Sequence, residues 1–398
     1  MRLVLYTGKG GVGKTTTAAA AAAVAAERGV RTLVASADAA HSLGDVLDLR
    51  LGAEPREVAP RLAAVEIDAR VESARHWGRI QRFLAKLFVH QGIEEAVAEE
   101  LALVPGAEEL TTLLAVERIA RGDAFDLLVL DCAPTDAALR LVTLPDVARG
   151  MVRTALHVAG ALAGVTTPLA RRILSAPLPD ADVFEEAEAL LYLELAALHA
   201  RLTGADTSAR LVLTPERMVI DEARRAYTEL SLFEIGCDAV VMNRLLPGAA
   251  AEEPFFRDWG RIQETLHAEV EESFAPLPVL RAPLQPDEVI GLPRLVEHGR
   301  ELFADASPEG LLCPAQRVRF EREDGVYWVR LPLPGADAAS LDVAMVDDDL
   351  VVSTRARRRS LRLPRRFSGL HLAGARLDAG TLHVRLARAA TPARGGGA

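Results

Sequence analysis

The most constraining feature of this chain is a glycine-rich run at residues 8–15, Gly-Lys-Gly-Gly-Val-Gly-Lys-Thr. It follows a short apolar run, Leu3–Tyr6, and precedes an alanine-rich segment, Thr16–Arg28. The spacing matches G-x-x-x-x-G-K-[ST], a pattern in which a strand leads into a loop that surrounds phosphate oxygens at a helix N-terminus. The run therefore predicts a phosphate-binding loop between a buried strand and a helix.

The loop residues have distinct predicted roles. Lys14 is expected to reach the β- and γ-phosphates of a nucleotide, and the Thr15 hydroxyl to coordinate Mg²⁺. ATP and Mg²⁺ are thus the predicted cofactors. The other nucleotide-binding candidates supply mainly backbone groups: Gly8, Gly10, Gly11, Val12, Gly13 and Thr16.

Lysine is scarce in the rest of the chain. Only Lys9, Lys14 and Lys86 are found among 46 basic residues. Because the compact ammonium of lysine is not interchangeable with the planar guanidinium of arginine, a second lysine in the loop indicates chemistry beyond ordinary phosphate binding. Lys86, in a predicted helical stretch, is interpreted as a surface residue.

Strand and helix patterns alternate through the first three quarters of the chain. Leu127–Asp131 is a continuous apolar run ending in aspartate, which is typical of a strand covered on both faces. The pattern predicts a doubly wound, parallel α/β sheet of the P-loop NTPase type. Residues 146–208 are predicted to form a helical insertion, and leucines spaced by three or four over 184–202 give it one apolar face.

The sequence pattern changes near residue 307. Turn residues over 307–316 predict a linker, and the short alternating runs over 317–390 predict a small all-β sandwich. Although the whole chain has a formal net charge of -10, this last part contains more basic than acidic residues. Residues 1–306 are therefore predicted as the ATPase domain and 391–398 as a disordered tail.

Four further stretches resemble the ArsA and tail-anchored-protein-targeting ATPases. Residues 36–43 resemble switch I of that family and 130–140 its switch II, while 241–247 and 282–291 resemble its adenine-binding segments. The loop, with its extra lysine, is similar to the family's deviant Walker A motif. The C-terminal runs resemble an α-crystallin (small heat-shock) domain, a combination found in one branch of the family.

The resemblance implies roles that the residues can support chemically. Lys9 would reach across a homodimer interface and neutralise charge on the partner's nucleotide. Asp38 would orient the attacking water, Asp131 would hold Mg²⁺ through its water shell, and Asn243 and Pro283 would contact adenine.

The chain also departs from the family pattern. Ala39 replaces a proline in switch I, and residues 136–138 replace Gly-His-Thr in switch II. Losing that glycine stiffens a loop that is expected to move when the γ-phosphate leaves. Slow hydrolysis, or hydrolysis coupled differently to partners, is therefore expected.

These features favour an ATP-driven homodimeric factor for hydrophobic, tail-anchored-type clients, with the apolar helical insertion and the uncharged stretch 154–170 as the groove. The alternative is the ATPase of an arsenite efflux pump, which needs clustered thiolates, whereas Cys132, Cys237 and Cys313 are widely spaced. A DNA-partitioning ATPase is disfavoured by the acidic ATPase part, so no nucleic acid is expected. An iron-sulfur reductase would need paired cysteines.

The cellular location is predicted from two patterns that the sequence lacks. No signal-peptide pattern and no strongly apolar run of about 20 residues occurs, so a cytoplasmic protein is expected. The sequence does not identify a membrane partner.

Overall fold

The ATPase part is built on a mainly parallel sheet. A computed structural model of the protein describes residues 1–36, 42–68, 72, 78, 81–82, 85–86, 88–90, 92–101, 107–131, 189–354 and 358–388. In these residues the sheet contains β1 (Arg2–Thr7), β2 (Thr32–Ser36), β3 (Arg56–Ala59), β4 (Leu62–Glu66), β5 (Leu127–Asp131), β6 (Thr207–Leu213), β7 (Cys237–Leu245) and β8 (Val279–Pro283).

The strand order is β3-β4-β2-β5-β1-β6-β7-β8, and only β3 runs antiparallel to its neighbour among these described strands. Strands β1, β2 and β5 form the centre and are almost completely buried. Continuous apolar strands covered on both faces are what a parallel sheet with helices on each side requires. The predicted doubly wound α/β class is confirmed.

Helices cover both faces of the sheet. They are α1 (Lys14–Glu27), α2 (Ser42–Leu47), α3 (Glu95–Leu101), α4 (Ala107–Ala120), α5 (Leu195–Leu202), α6 (Arg217–Leu232), α7 (Gly248–Ala251), α8 (Arg257–Phe274) and α9 (Leu292–Phe303). A π-helical turn, Ala189–Glu194, precedes α5.

Helix α1 lies in the interior, which explains its alanines. Every residue from 17 to 26 is buried, so the helix has no solvent-facing stripe. Helix α9 packs closely against it at Gly299, where an added Cβ would lie 2.6 Å from the carbonyl oxygen of Ala20 and 2.6 Å from a methyl carbon of Val24. Small residues on both helices therefore fix their close approach.

The leucine face predicted for the helical insertion is partly core. Leu195, Leu198 and Leu202 are each 1% exposed and belong to the main hydrophobic core. Helix α5 ends at Leu202, and the chain enters β6 at Thr207 beside β1, close to the predicted end of the helical insertion at about residue 208. These leucines therefore do not line a client groove, and residues 146–188 lie outside the described residues.

The C-terminal part is an all-β unit, as predicted. The strands of this unit are β9 (Arg319–Glu323), β10 (Val326–Pro332), β11 (Asp342–Val346), β12 (Asp349–Ser353), β13 (Arg358–Arg362), β14 (Leu370–Asp378) and β15 (Thr381–Arg388). One antiparallel sheet has the order β14-β15-β10-β9 and the other β11-β12-β13. Alternate apolar residues of both sheets form one core, and Leu232 at the end of α6 is part of it.

The connection between the two parts is anchored by a buried arginine. Arg210 is completely buried on β6 and donates to the carbonyl oxygens of Pro308, at 2.8 Å, and Gly310, at 2.9 Å. It also lies 3.1 Å from the carboxylate of Asp238 and 3.0 Å from the hydroxyl of Tyr6. Burial opposes its charge, but contacts with Tyr6 and Asp238 raise its pKa. The segment predicted as a linker is thus held against the sheet.

Helix α6 carries most of the remaining contact with the β unit. The Thr228 hydroxyl donates to the carbonyl oxygen of Pro334. Just beyond the helix, Arg359 donates to Glu234 at 3.0 Å and its guanidinium lies over the ring of Phe233. The β unit is therefore docked along one side of a helix that also faces the phosphate loop.

Candidate nucleotide site

The glycine-rich loop lies at the carboxyl end of β1, where its glycines are required by geometry. Gly11 and Gly13 have φ values of 81° and 93°, in the left-handed region that favours glycine. An added Cβ would lie 2.1 Å from the carbonyl oxygen of Val212 at Gly8, and 2.4 Å from Nδ2 of Asn243 at Gly13. The loop therefore forms a cradle that tolerates no side chain at these two positions.

The exposed side of the cradle is open. Gly10 and Gly11 are exposed, and an added Cβ at either position would have no atom of the described residues within 4 Å. Val12 instead is buried and belongs to the main core, which anchors the loop to the sheet. An open outer side and an anchored inner side suit a loop whose backbone N–H groups receive an anion.

The two loop lysines point to different partners. Nζ of Lys14 donates to the carbonyl oxygen of Lys9 at 3.2 Å, which keeps this ammonium over the loop. Nζ of Lys9 lies 3.8 Å from a carboxylate oxygen of Glu222 on α6, and the Lys9 side chain is 39% exposed. Lys14 is thus directed toward the cradle, whereas Lys9 is on the open surface and pairs with a different element.

The predicted magnesium residues meet beside the loop. The Thr15 hydroxyl donates to Oδ2 of Asp131 at 2.5 Å and lies 3.2 Å from the hydroxyl of Ser42. Asp131 ends β5 and is 2% exposed. A hydroxyl and a carboxylate in contact at the end of a parallel sheet fit a hydrated Mg²⁺ that also binds phosphate. Ser42, in the segment that resembles switch I, is an addition to the residues predicted here.

Asn243 has a different contact from the one predicted. Its Nδ2 donates to the carbonyl oxygen of Val12 at 2.8 Å, and its Oδ1 accepts from the backbone N–H of Arg244 at 2.9 Å. The side chain therefore ties the end of β7 to the phosphate loop. It also faces the cavity described next, where a nucleobase contact stays a prediction.

A cavity of about 550 Å³ extends from the loop between α1, α2 and the segment after β8. It brings together four predicted residues, Gly13, Thr16, Asn243 and Pro283. The lining also includes Arg244, Gln285, Asp287 and Glu288, which belong to the two segments predicted to bind adenine. Asp45 and His298 complete its charged and polar residues and were not predicted for this site. Its size is in the range of small-molecule and cofactor pockets.

His298 is the buried ionisable group of this lining. The residue is 4% exposed, and its Nδ1 has no hydrogen-bond partner among the described residues. Burial lowers the pKa of its imidazole, with Glu301 acting in the opposite direction. His298 is thus a buried residue of the cavity lining whose Nδ1 no described protein atom satisfies.

Some predicted residues cannot be placed. Asp38 and Ala39 lie in 37–41, and Cys132 and the rest of the switch II segment lie in 132–140, all outside the described residues. In the part of the chain that is described, no cluster of three or more His, Cys, Asp or Glu side chains suits a metal ion. No helix there is long and apolar enough to cross a membrane.

Comparison with known proteins agrees with the fold and the loop. Residues 1–304 match the family described as Anion-transporting ATPase, and residues 324–386 match the HSP20-like domain found in ArsA. The chain belongs to the anion-transporting ATPase family. It is therefore an ATPase that binds nucleotide, with an HSP20-like C-terminal domain.

Individual relatives cover nearly the whole chain. The chain is 33% identical to the putative arsenical pump-driving ATPase 1 of Aquifex aeolicus, over 95% of its own length and 98% of the relative. It is 34% identical to the putative arsenical pump-driving ATPase of Chlorobaculum tepidum, over 96% and 95%. It is 28% identical to the ATPase GET3 of Podospora anserina, over 77% and 92%.

Proposed function

We propose that the chain acts in the cytoplasm as a homodimer that binds ATP and Mg²⁺ at each phosphate loop and couples nucleotide-driven closure to the capture of hydrophobic protein segments. The nucleotide part rests on one observation, the 2.5 Å contact between Thr15 and Asp131 beside a cradle without side chains. In this proposal Lys14 and the loop amides bind the phosphates, and Thr15 and Asp131 hold the hydrated metal ion.

The remaining predicted residues act at the adenine and at the γ-phosphate of the nucleotide. Asn243 and Pro283 would contact the adenine, and Asp38 would hold the attacking water. Lys9 would leave Glu222 and neutralise charge at the partner's nucleotide. The Lys9 side chain is exposed, and the distance of 3.8 Å between its ammonium nitrogen and the Glu222 carboxylate is long for an ion pair. This supports the role, because little free energy is needed to release the lysine.

The test of this mechanism compares the three lysines. Light scattering and ATPase assays on Lys9→Arg should show nucleotide binding retained and hydrolysis strongly reduced, since a guanidinium does not fit a site built for an ammonium. Lys86→Arg, at an exposed helical position, is the matched control and should behave as wild type. A wild-type protein that stays monomeric with ATP would contradict the shared-site mechanism.

The client part rests on the family resemblance and on the HSP20-like domain. An ATP-dependent complex with a peptide of about 20 apolar residues, measured by gel filtration, is the expected result. Equal retention of the peptide with ATP, with ADP and without nucleotide would contradict it.

The arsenite pump is the second candidate, favoured by the names of the two bacterial relatives quoted above. Trivalent arsenic needs thiolates, and burial raises the pKa of both Cys237 and Cys313. Stimulation of ATP hydrolysis by arsenite, lost in Cys237→Ser or Cys313→Ser, would favour this function over client capture.

A further inference from the structure

The cavity reaches from the phosphate loop to α9. Gly13 and Thr16 mark the side beside the phosphate loop, where α1 begins. Helices α1 and α9 run side by side in the same direction, because Gly299 packs on Ala20 and Val24 in the middle of α1. Just beyond the two helices, Arg28 donates to the carbonyl oxygens of Ala304 and Ala306. His298 therefore lies roughly one helical turn farther along α1 than Thr16.

The position of His298 is fixed on both sides. The backbone N–H of Gly291 donates to the carbonyl oxygen of Val46 at 2.9 Å, which sets the start of α9. Gly299, the next residue after His298, leaves no space between α9 and α1. The backbone that carries His298 is thus fixed, and a hydrogen bond to this residue would require little ordering of α9.

A buried ring nitrogen without a partner is unfavourable unless a ligand or a water molecule supplies one. Of the parts of a nucleotide, the base lies farthest from the phosphates, and its edge carries ring nitrogens and amino groups. We propose that His298 is a specificity-determining residue, whose imidazole hydrogen-bonds the edge of the purine base on the α9 side of the cavity. This inference rests on the proposed nucleotide site and assigns its base contact to α9.

The test uses the full-length protein and calorimetric titration with ADP and with inorganic tripolyphosphate, which has no base. His298→Phe keeps a flat ring and removes both nitrogens. ADP binding should weaken about 5- to 100-fold, while tripolyphosphate binding stays unchanged. His298→Gln, which keeps hydrogen-bonding capacity, should lie closer to wild type than the phenylalanine variant.

His267→Phe is the matched control. His267 is also buried, and its Nε2 has no partner among the described residues, but it lies on α8 outside the described lining of the cavity. Its variant should bind ADP as wild type does. Wild-type ADP affinity in His298→Phe, or equal weakening of ADP and tripolyphosphate, would overturn the proposal.

A second measurement needs no substitution. Wild-type protein is titrated with 1-deaza-ADP, 3-deaza-ADP, 7-deaza-ADP and the diphosphate of purine riboside, each of which lacks one polar group of the adenine edge. At least one analogue should bind about 5- to 100-fold more weakly than ADP. Equal affinity for all five ligands would refute the His298 contact. Failure to bind both ADP and tripolyphosphate would refute the nucleotide site itself.

Discussion

Lys9 and Glu222 form an ion pair within one chain, with the ammonium nitrogen 3.8 Å from a carboxylate oxygen. Both side chains are more than one-third exposed, so the pair is weak. It nevertheless links the phosphate loop to α6, the helix on which the β unit is docked through Thr228 and Leu232. The lysine that the proposed dimer mechanism requires is therefore paired with a helix outside its own loop.

Glu222→Gln should release Lys9 and leave folding intact. An exposed pair contributes about 0.2–1 kcal/mol to holding Lys9 within its own chain. In the proposed mechanism Lys9 acts at the partner's nucleotide, so its release should raise the ATPase rate by about 1.5- to 5-fold. Glu297→Gln, at an exposed position of α9, is the control. An unchanged or lower rate in Glu222→Gln would show that this pairing does not restrain Lys9.

Asp131→Asn should impair the use of magnesium. The substitution removes the charge beside the Thr15 hydroxyl, and loss of such a supporting carboxylate is expected to lower activity about 10- to 100-fold. ATPase rates measured across a range of Mg²⁺ concentrations provide the test. Asp126→Asn just before the same strand, where the carboxylate pairs with Arg31 at the surface, should keep the wild-type magnesium dependence.

Arg210→Met should strongly destabilise the protein. The substitution removes one of the two guanidinium partners of the buried Asp238 carboxylate, the other being Arg2 at 3.2 Å. Breaking a buried pair costs about 3–5 kcal/mol. Urea unfolding measures the change in free energy of unfolding. The double variant with Asp238→Leu should recover part of the loss, and a single variant within about 1 kcal/mol of wild type would contradict the importance of the pair.

Gly335→Ala should weaken the docking of the β unit. Gly335 has φ 76°, and an added Cβ would lie 3.3 Å from Cβ of Arg224. Gly369→Ala is the control, because its φ is 72° but no atom of the described residues lies within 4 Å of the added carbon. Both variants should lose about 1–2 kcal/mol from backbone strain, and thermal unfolding should show a larger loss for Gly335→Ala.

The lowered pKa of His298 predicts a pH dependence of stability. The unfolded chain takes up a proton near pH 6.5 more readily than the native state does, so stability should fall as the pH drops below that value. Glu301 opposes the shift, and Asp45, Asp287 and Glu288 also line the cavity. Urea unfolding at pH 7.5 and 5.5 should show a smaller loss for His298→Phe than for wild type.

The loop was predictable because its chemistry is encoded in eight consecutive residues. Thr15 and Asp131 are 116 positions apart, yet the end of an apolar strand marks Asp131 in the sequence. His298 and Glu222 carry no comparable signal, because their positions depend on how α9 and α6 pack against the loop and α1. In the sequence, the glycine that follows His298 is the hint that α9 packs closely against another element there.

Other misses have equally physical causes. Strand β8 has no clear strand pattern in the sequence, because its five residues include an arginine, follow Pro278 and end in Pro283, as suits a half-exposed edge strand. The leucine face of α5 was correctly recognised as apolar. Periodicity, however, does not reveal what covers an apolar face, and here it is the main core.

The hydrogen bonds that Arg210 donates to the connecting segment have a practical consequence. Its acceptors on Pro308 and Gly310 lie beyond the last residue, 304, matched by the ATPase family. A protein shortened at that family boundary would keep the buried guanidinium on β6 and lose two of the carbonyl oxygens that accept its hydrogen bonds. Enzyme assays on such a fragment would measure a destabilised ATPase part. Differences between the fragment and the full chain would therefore say little about the function of the β unit that had been removed.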